Sequence, residues 1–151
     1  MANYFFDTSA LVKLYHEEDG SERVEEIFNE NDAVIFISEI GTVETHSALV
    51  KKVRIKELAK DKMDKALQSF YDDCVSERVR IVPMESAYYQ KAIIWLMTLG
   101  IKENVRTLDA VQLSVASAIS ERRGLAYFVC ADPVLCTIAQ LVGLEVINPA
   151  E

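Results

Sequence analysis

Hydrophobic residues fall along this chain in two rhythms. Short dense runs rich in aromatic and β-branched residues, at 3–6 (NYFF), 34–37 (VIFI), 80–82 (RIV), 126–130 (AYFVC) and 145–147 (EVI), predict strands. Between them, apolar positions recur at helical spacing over about 9–15, 21–29, 40–53, 56–77, 86–99, 108–123 and 134–142. Strands alternating with longer amphipathic segments predict a layered α/β domain with a parallel sheet. The punctuation agrees. Gly20, Gly100, Gly124 and Gly143 fall at predicted helix boundaries, and Pro83 and Pro133 stand where a strand gives way to a helix. No linker rich in Gly, Pro or Ser and no internal repeat interrupts the pattern, so residues 1–151 read as one domain.

Composition narrows the function classes. Half of the 151 residues are hydrophobic and three are proline, which excludes a disordered or low-complexity chain. There is no positively charged leader before an apolar run, and no stretch approaches eighteen consecutive apolar residues, so the expectation is a cytoplasmic protein with no membrane attachment. The cysteines, Cys74, Cys130 and Cys136, are odd in number and lack C-x-x-C spacing, which predicts buried free thiols. A net charge of −8 argues against coating nucleic acid by charge alone. Locally the sign reverses: residues 51–65 (KKVRIKELAKDKMDK) hold seven bases and three acids. That segment reads as a solvated helical hairpin with i,i+4 ion pairs, or as a surface that meets backbone phosphates.

Four acids stand where acids are not expected. Asp7 ends the first strand, and Asp132 follows the strand YFVCA just before Pro133 opens a helix. In open parallel sheets the crevice beyond the strands' carboxyl ends binds ligands, although each aspartate could equally be a helix cap. Glu44 shares a helical face with Ile40, Ser47, Ala48 and, slightly off-axis, Val43. Lys51 is the base that could reach back to it, and the other reading is an exposed face beside Thr42, Thr45 and His46. Asp109 lies in the first turn of LDAVQLSVASAIS, a helix of almost wholly small or apolar residues, on the face of Leu113 and Ala116 and behind a Thr107 cap. If the topology gathers these acids, their repulsion must be offset. Two unit charges about 4 Å apart interact by about 4 kcal/mol at an effective dielectric near 20. Proton uptake or a hard divalent cation would provide the offset, and carboxylates without His or Cys suit Mg²⁺ or Mn²⁺ rather than zinc. Such sites serve phosphoryl chemistry.

With these residues in place, the chain resembles a PIN domain over nearly its whole length, most closely the VapC-type ribonuclease toxins. YFFDTSALVKLY is similar to the family's first motif, with Asp7 as metal ligand and Thr8 or Ser9 as the neighbouring hydroxyl; ISEIGTVETHSAL to the second, with Glu44; and TLDAVQLSVA to the third, with Asp109. FVCADPVLCTIAQLVGLEVINP is similar to the fourth, with Asp132 as its acid, but Cys130 stands where a Thr or Ser is usual. The resemblance implies a three-layer α/β/α fold with a mostly parallel five-stranded sheet. It further implies a Mg²⁺- or Mn²⁺-dependent endoribonuclease that acts on RNA, forms a homodimer and, as a toxin, binds an antitoxin protein. Asp7, Glu44 and Asp109 would hold the ion, Asp132 would complete the pocket, and Ser9 would orient a water or phosphate oxygen. His16 and His46 are expected at the surface, without a catalytic role. The stretch around Tyr88, Tyr89, Trp95 and Met97 reads as core before interface. The rival class is a non-cleaving PIN-like module that binds RNA or protein. A haloacid-dehalogenase-type phosphatase is disfavoured because Ser9 stands where that motif needs a second aspartate, and a receiver-like domain because no acidic pair opens the chain.

Overall fold

The computed structural model describes residues 2–151. Its strands are β1 (Ala2–Phe6), β2 (Ala33–Ser38), β3 (Val79–Val82), β4 (Tyr127–Val129) and β5 (Val146–Ile147), in the sheet order β3-β2-β1-β4-β5. Every pairing is parallel, with Phe5 beside Phe36 on one side and Phe128 on the other. Parallel neighbours need long crossovers. Helices supply them: α1 (Thr8–Leu11), α2 (Ser21–Phe28), α3 (Glu39–Arg54), α4 (Lys60–Val75), α5 (Ser86–Thr98), α6 (Thr107–Arg123) and α7 (Pro133–Leu141).

Side chains alternate across the sheet into two apolar layers. Phe5, Phe36 and Phe128 pack with Leu113 and Ile119 of α6 and with Leu135 and Ile138 of α7. On the other face Phe6, Ile35 and Ile37 pack with Leu11 of α1, Val24 and Ile27 of α2 and Phe70 of α4. Burial on both faces explains why the strands read as continuous apolar runs, and the three-layer α/β/α arrangement is the predicted one. Each fully buried large side chain contributes about 1.5–3 kcal/mol.

Two helices differ from their predicted extents. The segment expected as one helix over 9–15 is α1 followed by a 3-10 turn, Val12–Leu14. That tighter turn accompanies an inward Lys13, whose Nζ donates to Glu18 Oε1 at 3.0 Å and to the Asp19 carbonyl at 2.6 Å. The helix expected from 56 starts at Lys60, because Lys56 adopts φ +64° and the chain turns back with the Glu57 and Leu58 amides both on the Lys52 carbonyl. The basic stretch is therefore the expected hairpin, tied by Lys60 to Asp64 and by Lys52 to Glu18. Burial pushes Glu18 up, but Lys13 and Lys52 together outweigh it and hold its carboxyl below the usual range. Gly20 has φ +90°, and a Cβ there would stand 2.9 Å from the Pro149 carbonyl, so glycine lets the chain's last residues pack on the start of α2.

The three cysteines are free, with Cys130 and Cys136 buried and Cys74 half-buried. The aromatic stretch of α5 departs from the core reading. Tyr88 is buried, whereas Tyr89 and Met97 are exposed together with Ile93 and Ile94. No helix among the described residues is long and apolar enough to cross a membrane.

Candidate active site

The strand order locates the site. The chain runs outward from β1 through β2 to β3, then returns to the other side of β1 as β4. The crevice at that reversal lies beyond the carboxyl ends of β1 and β4. Asp7 directly follows β1, its amide bonded to the Val129 carbonyl of β4 at 3.0 Å, and Asp132 lies just past β4. Glu44 comes from the second turn of α3 and Asp109 from the first turn of α6. All four line one cavity of about 700 Å³, together with Thr8, Ser9, Lys51 and Arg106.

Asp7 is 6% exposed and caps α1. Its Oδ2 accepts from the Ser9 amide at 3.1 Å and the Ser9 hydroxyl at 2.6 Å. Burial pushes its carboxyl up, the Ser9 bonds offset part of that, and the Glu44 charge pushes it further. Asp132 caps α7 with Oδ1, which accepts from the Val134 and Leu135 amides at 2.9 and 3.3 Å. Its Oδ2 meets Arg106 Nη2 at 2.7 Å. Capping and cleft-facing were alternatives in the sequence; here each aspartate does both.

Glu44 corrects the expected facing of α3. The buried stripe of that helix is Gly41, Thr45 and Leu49; Thr45, outward in the exposed-face alternative, is fully buried with its hydroxyl on the Gly41 carbonyl, and Val43, assigned to the apolar face, is exposed. Glu44 sits half-buried beside the stripe. Its Oε1 accepts from Gln112 Nε2 at 2.6 Å and from Thr8 Oγ1 at 3.3 Å, so Lys51, a neighbour in the cavity, is not what steadies it. Burial raises its carboxyl, those two bonds lower it, and Asp109 raises it again. For Asp109, burial leads, Asp7 and Asp132 add to it, and Arg106 opposes them through Nε at 3.3 Å. Thr107 is the first residue of α6 and not its cap; Arg106 holds the N-cap position without a side-chain bond to the helix backbone.

Sequence reasoning missed Gln112 and Arg106. Gln112 is 1% exposed; it accepts from the Ser38 hydroxyl at 2.7 Å while donating to Glu44 and, at 3.4 Å, to Thr8. Its signal was a lone amide one turn from Asp109 in an otherwise small and apolar helix. Arg106 offered only its spacing of three before Asp109. Cys130 packs against Ser9, whose Oγ lies 3.7 Å from Cys130 Sγ and accepts from the Ala131 amide at 3.0 Å. Neither histidine lines the cavity.

Among the described residues, no three acidic, histidine or cysteine groups form a ready-made ligand set as they stand. The donors still fit a hard divalent cation. They are oxygen only, they share one cavity, and Asp7, Glu44 and Asp109 each hold a proton more tightly than an ordinary carboxyl because of burial and one another's charge.

The fold and cleft define an α/β/α protein with an acidic crevice at the reversal point of a parallel sheet. A family model described as PIN domain matches residues 4–140, and the chain belongs to the PIN domain family. No curated protein matches the sequence. Among solved structures, it is similar to VapC20 of Mycobacterium tuberculosis, described as a sarcin-ricin loop cleaving toxin, with TM-score 0.67, 17% identity and coverage of 96% of this chain and 97% of that one. A toxin–antitoxin complex from Klebsiella pneumoniae gives 0.63 at 14% identity, covering 98% of each chain. VapBC2 of Rickettsia felis, bound to a DNA fragment from its promoter, gives 0.62 at 19% identity, covering 96% of this chain and 97% of that one. What these likenesses share with the chain is the fold.

Proposed function

We propose that this chain is a Mg²⁺- or Mn²⁺-dependent endoribonuclease, the toxin of a toxin–antitoxin pair, acting in the cytoplasm as a single-domain subunit of a homodimer. The observation that carries the reading is the meeting of Asp7, Glu44, Asp109 and Asp132, from four separate stretches of chain, on one cavity where the sheet order reverses. Asp7, Glu44 and Asp109 would hold the ion directly or through water, and Asp132 would complete the pocket or support a second ion. When bound, the cation supplies charge neutralisation at the phosphate and a more acidic water for attack. Ser9 holds Asp7 in place with its hydroxyl and takes the Ala131 amide, so its service to substrate is to fix that carboxylate's orientation. Lys51, on the cavity wall with the basic hairpin behind it, faces the substrate backbone. The antitoxin partner is supported by the structures the chain resembles, several of which are toxin–antitoxin complexes.

The test is cleavage of a mixed structured-RNA substrate by wild type in Mn²⁺, wild type in EDTA, and an Asp109→Asn variant shown to be folded. Only wild type with metal is expected to cut, and the variant should lose at least about a hundredfold in rate. If all three leave the RNA intact and Mn²⁺ does not raise the melting midpoint, the chain is the non-cleaving binding module instead.

The homodimer reading has its support on α5. The exposed positions Ser86, Ala87, Tyr89, Gln90, Ile93, Ile94, Met97 and Thr98 include no charged residue, in a chain whose net charge is −8. Two copies that repel elsewhere can meet there while burying little charge, since Lys91, the charged residue of α5, is one-third exposed and already paired with Glu121, and the exposed Ile101 follows the helix. A doubly substituted Ile94→Asp, Met97→Asp chain is expected to sediment as a monomer with an unchanged circular dichroism spectrum. Sedimentation of that variant as a dimer would remove α5 from the interface.

A further inference from the structure

We propose that Arg106 is a resident counter-cation of the cleft: it bridges Asp109 and Asp132 while the metal is absent, yields their oxygens to the metal, and then takes a substrate phosphate. The inference rests on the reading of the cleft as a metal-dependent nuclease site. Its basis is the assignment of individual oxygens. Asp132 spends Oδ1 on the Val134 and Leu135 amides at the start of α7, so Oδ2 is the atom it can offer to the cavity. Arg106 Nη2 holds that atom at 2.7 Å, and its Nε holds Asp109 Oδ2 at 3.3 Å. A cation entering between these two acids meets a guanidinium on the same oxygens, and the two positive charges exclude each other.

The arginine is built to leave. Its side chain is 66% exposed, it sits at the N-cap of α6 on the cavity rim, and neither of its bonds reaches the helix backbone. By contrast Lys13, a buried cation elsewhere among the described residues, is 7% exposed and fixed by Glu18 and the Asp19 carbonyl. With the charge of Asp109 and Asp132 taken up by a metal, the guanidinium would remain tethered within reach of the cleft, and its flat fork matches two phosphate oxygens.

The experiment compares wild type, Arg106→Ala and Arg106→Lys by Mn²⁺ calorimetry, by melting in EDTA and in saturating Mn²⁺, and by the KM for RNA. Arg106→Ala is expected to bind Mn²⁺ roughly fivefold tighter, because an exposed competing ion pair is gone. It should melt below wild type in EDTA, where two acids face each other uncompensated, and at or above wild type in Mn²⁺, while its KM for RNA rises. Arg106→Lys keeps the charge without the fork, so it should fall between the two in Mn²⁺ affinity and recover part of the KM. A purely structural strut would instead lower both melting midpoints equally and leave Mn²⁺ affinity unchanged. That result, with Mn²⁺ binding normally to wild type, overturns the role of Arg106 alone. Failure of wild type to take up Mn²⁺ at all overturns it together with the nuclease reading.

Discussion

Asp7→Asn is expected to give a protein that melts about 2–5 °C higher than wild type in EDTA at neutral pH, yet cuts RNA about a thousandfold more slowly in Mn²⁺. Both halves have one cause. Asp7 is buried at the end of the central strand, and burial first, then the Glu44 charge, raise its carboxyl above the usual range despite two bonds from Ser9. A folded-state pKa above the unfolded one means that the native state holds the proton more tightly. Its contribution to stability is full below the unfolded pKa and is lost as pH rises through the folded one, so the ionised group is a net cost at pH 7. Asparagine cannot ionise, and it caps α1 about as well as aspartate. The melting advantage of the variant should therefore shrink as pH falls and wild type takes up its proton. Saturating Mn²⁺ should invert the order, since a ligand selective for the native state stabilises wild type and finds one carboxylate fewer in the variant. If the variant melts lower than wild type in EDTA at both neutral and acidic pH, the Asp7 charge is stabilised where it stands, and the cleft is not a site kept poised for a cation.

That cost bears on how much of the candidate site was legible in the sequence. Asp7, Asp109 and Asp132 each have a structural use of their own, a cap or a first-turn charge, but with Glu44 they stood out together against a sheet whose strands declared themselves by dense aromatic and β-branched runs. What stayed hidden depended on which surface each helix face meets. The exposed-face reading of α3 set Thr45 outward beside Glu44, but its hydroxyl is satisfied within its own helix by the Gly41 carbonyl, and a threonine so paired can be buried like an apolar residue. In α5 the same apolar spacing serves two destinations: Tyr88 and Ala92 enter the core, while Ile93 and Met97 face outward, and periodicity alone does not distinguish a core from a surface that another molecule covers. Arg106 was invisible for a different reason. Asp109 stands one turn along the same helix, but its second partner, Asp132, lies on a separate element that only the folded sheet brings within reach of the guanidinium.

Gln112→Leu is expected to lower the unfolding free energy in EDTA by about 2–4 kcal/mol, by urea unfolding, and to weaken Mn²⁺ binding about 10–100-fold. Leucine fills much of the volume but offers nothing to the groups that Gln112 now joins: the buried Ser38 hydroxyl loses its acceptor, and Glu44 loses a donor at 2.6 Å. Gly41 still donates to Ser38 Oγ, so the start of α3 keeps its cap, and the loss should appear in the cleft without dissolving the helix. Gln112→Glu separates the two sides of the amide. It preserves the acceptor for Ser38 but sets a second carboxyl against Glu44, already a group whose carboxyl is raised by burial. One proton must then be shared between them, so this variant should be the less stable of the two at pH 7 and regain stability as pH falls, whereas the leucine variant should lack that recovery. Equal stability of the leucine variant and wild type, with unchanged Mn²⁺ affinity, would mean that the Gln112 bonds do not position Glu44. The expected pattern follows from a division of labour across α6: Asp109 offers charge to the cavity, and one turn later Gln112 holds in place the acid that faces it from α3.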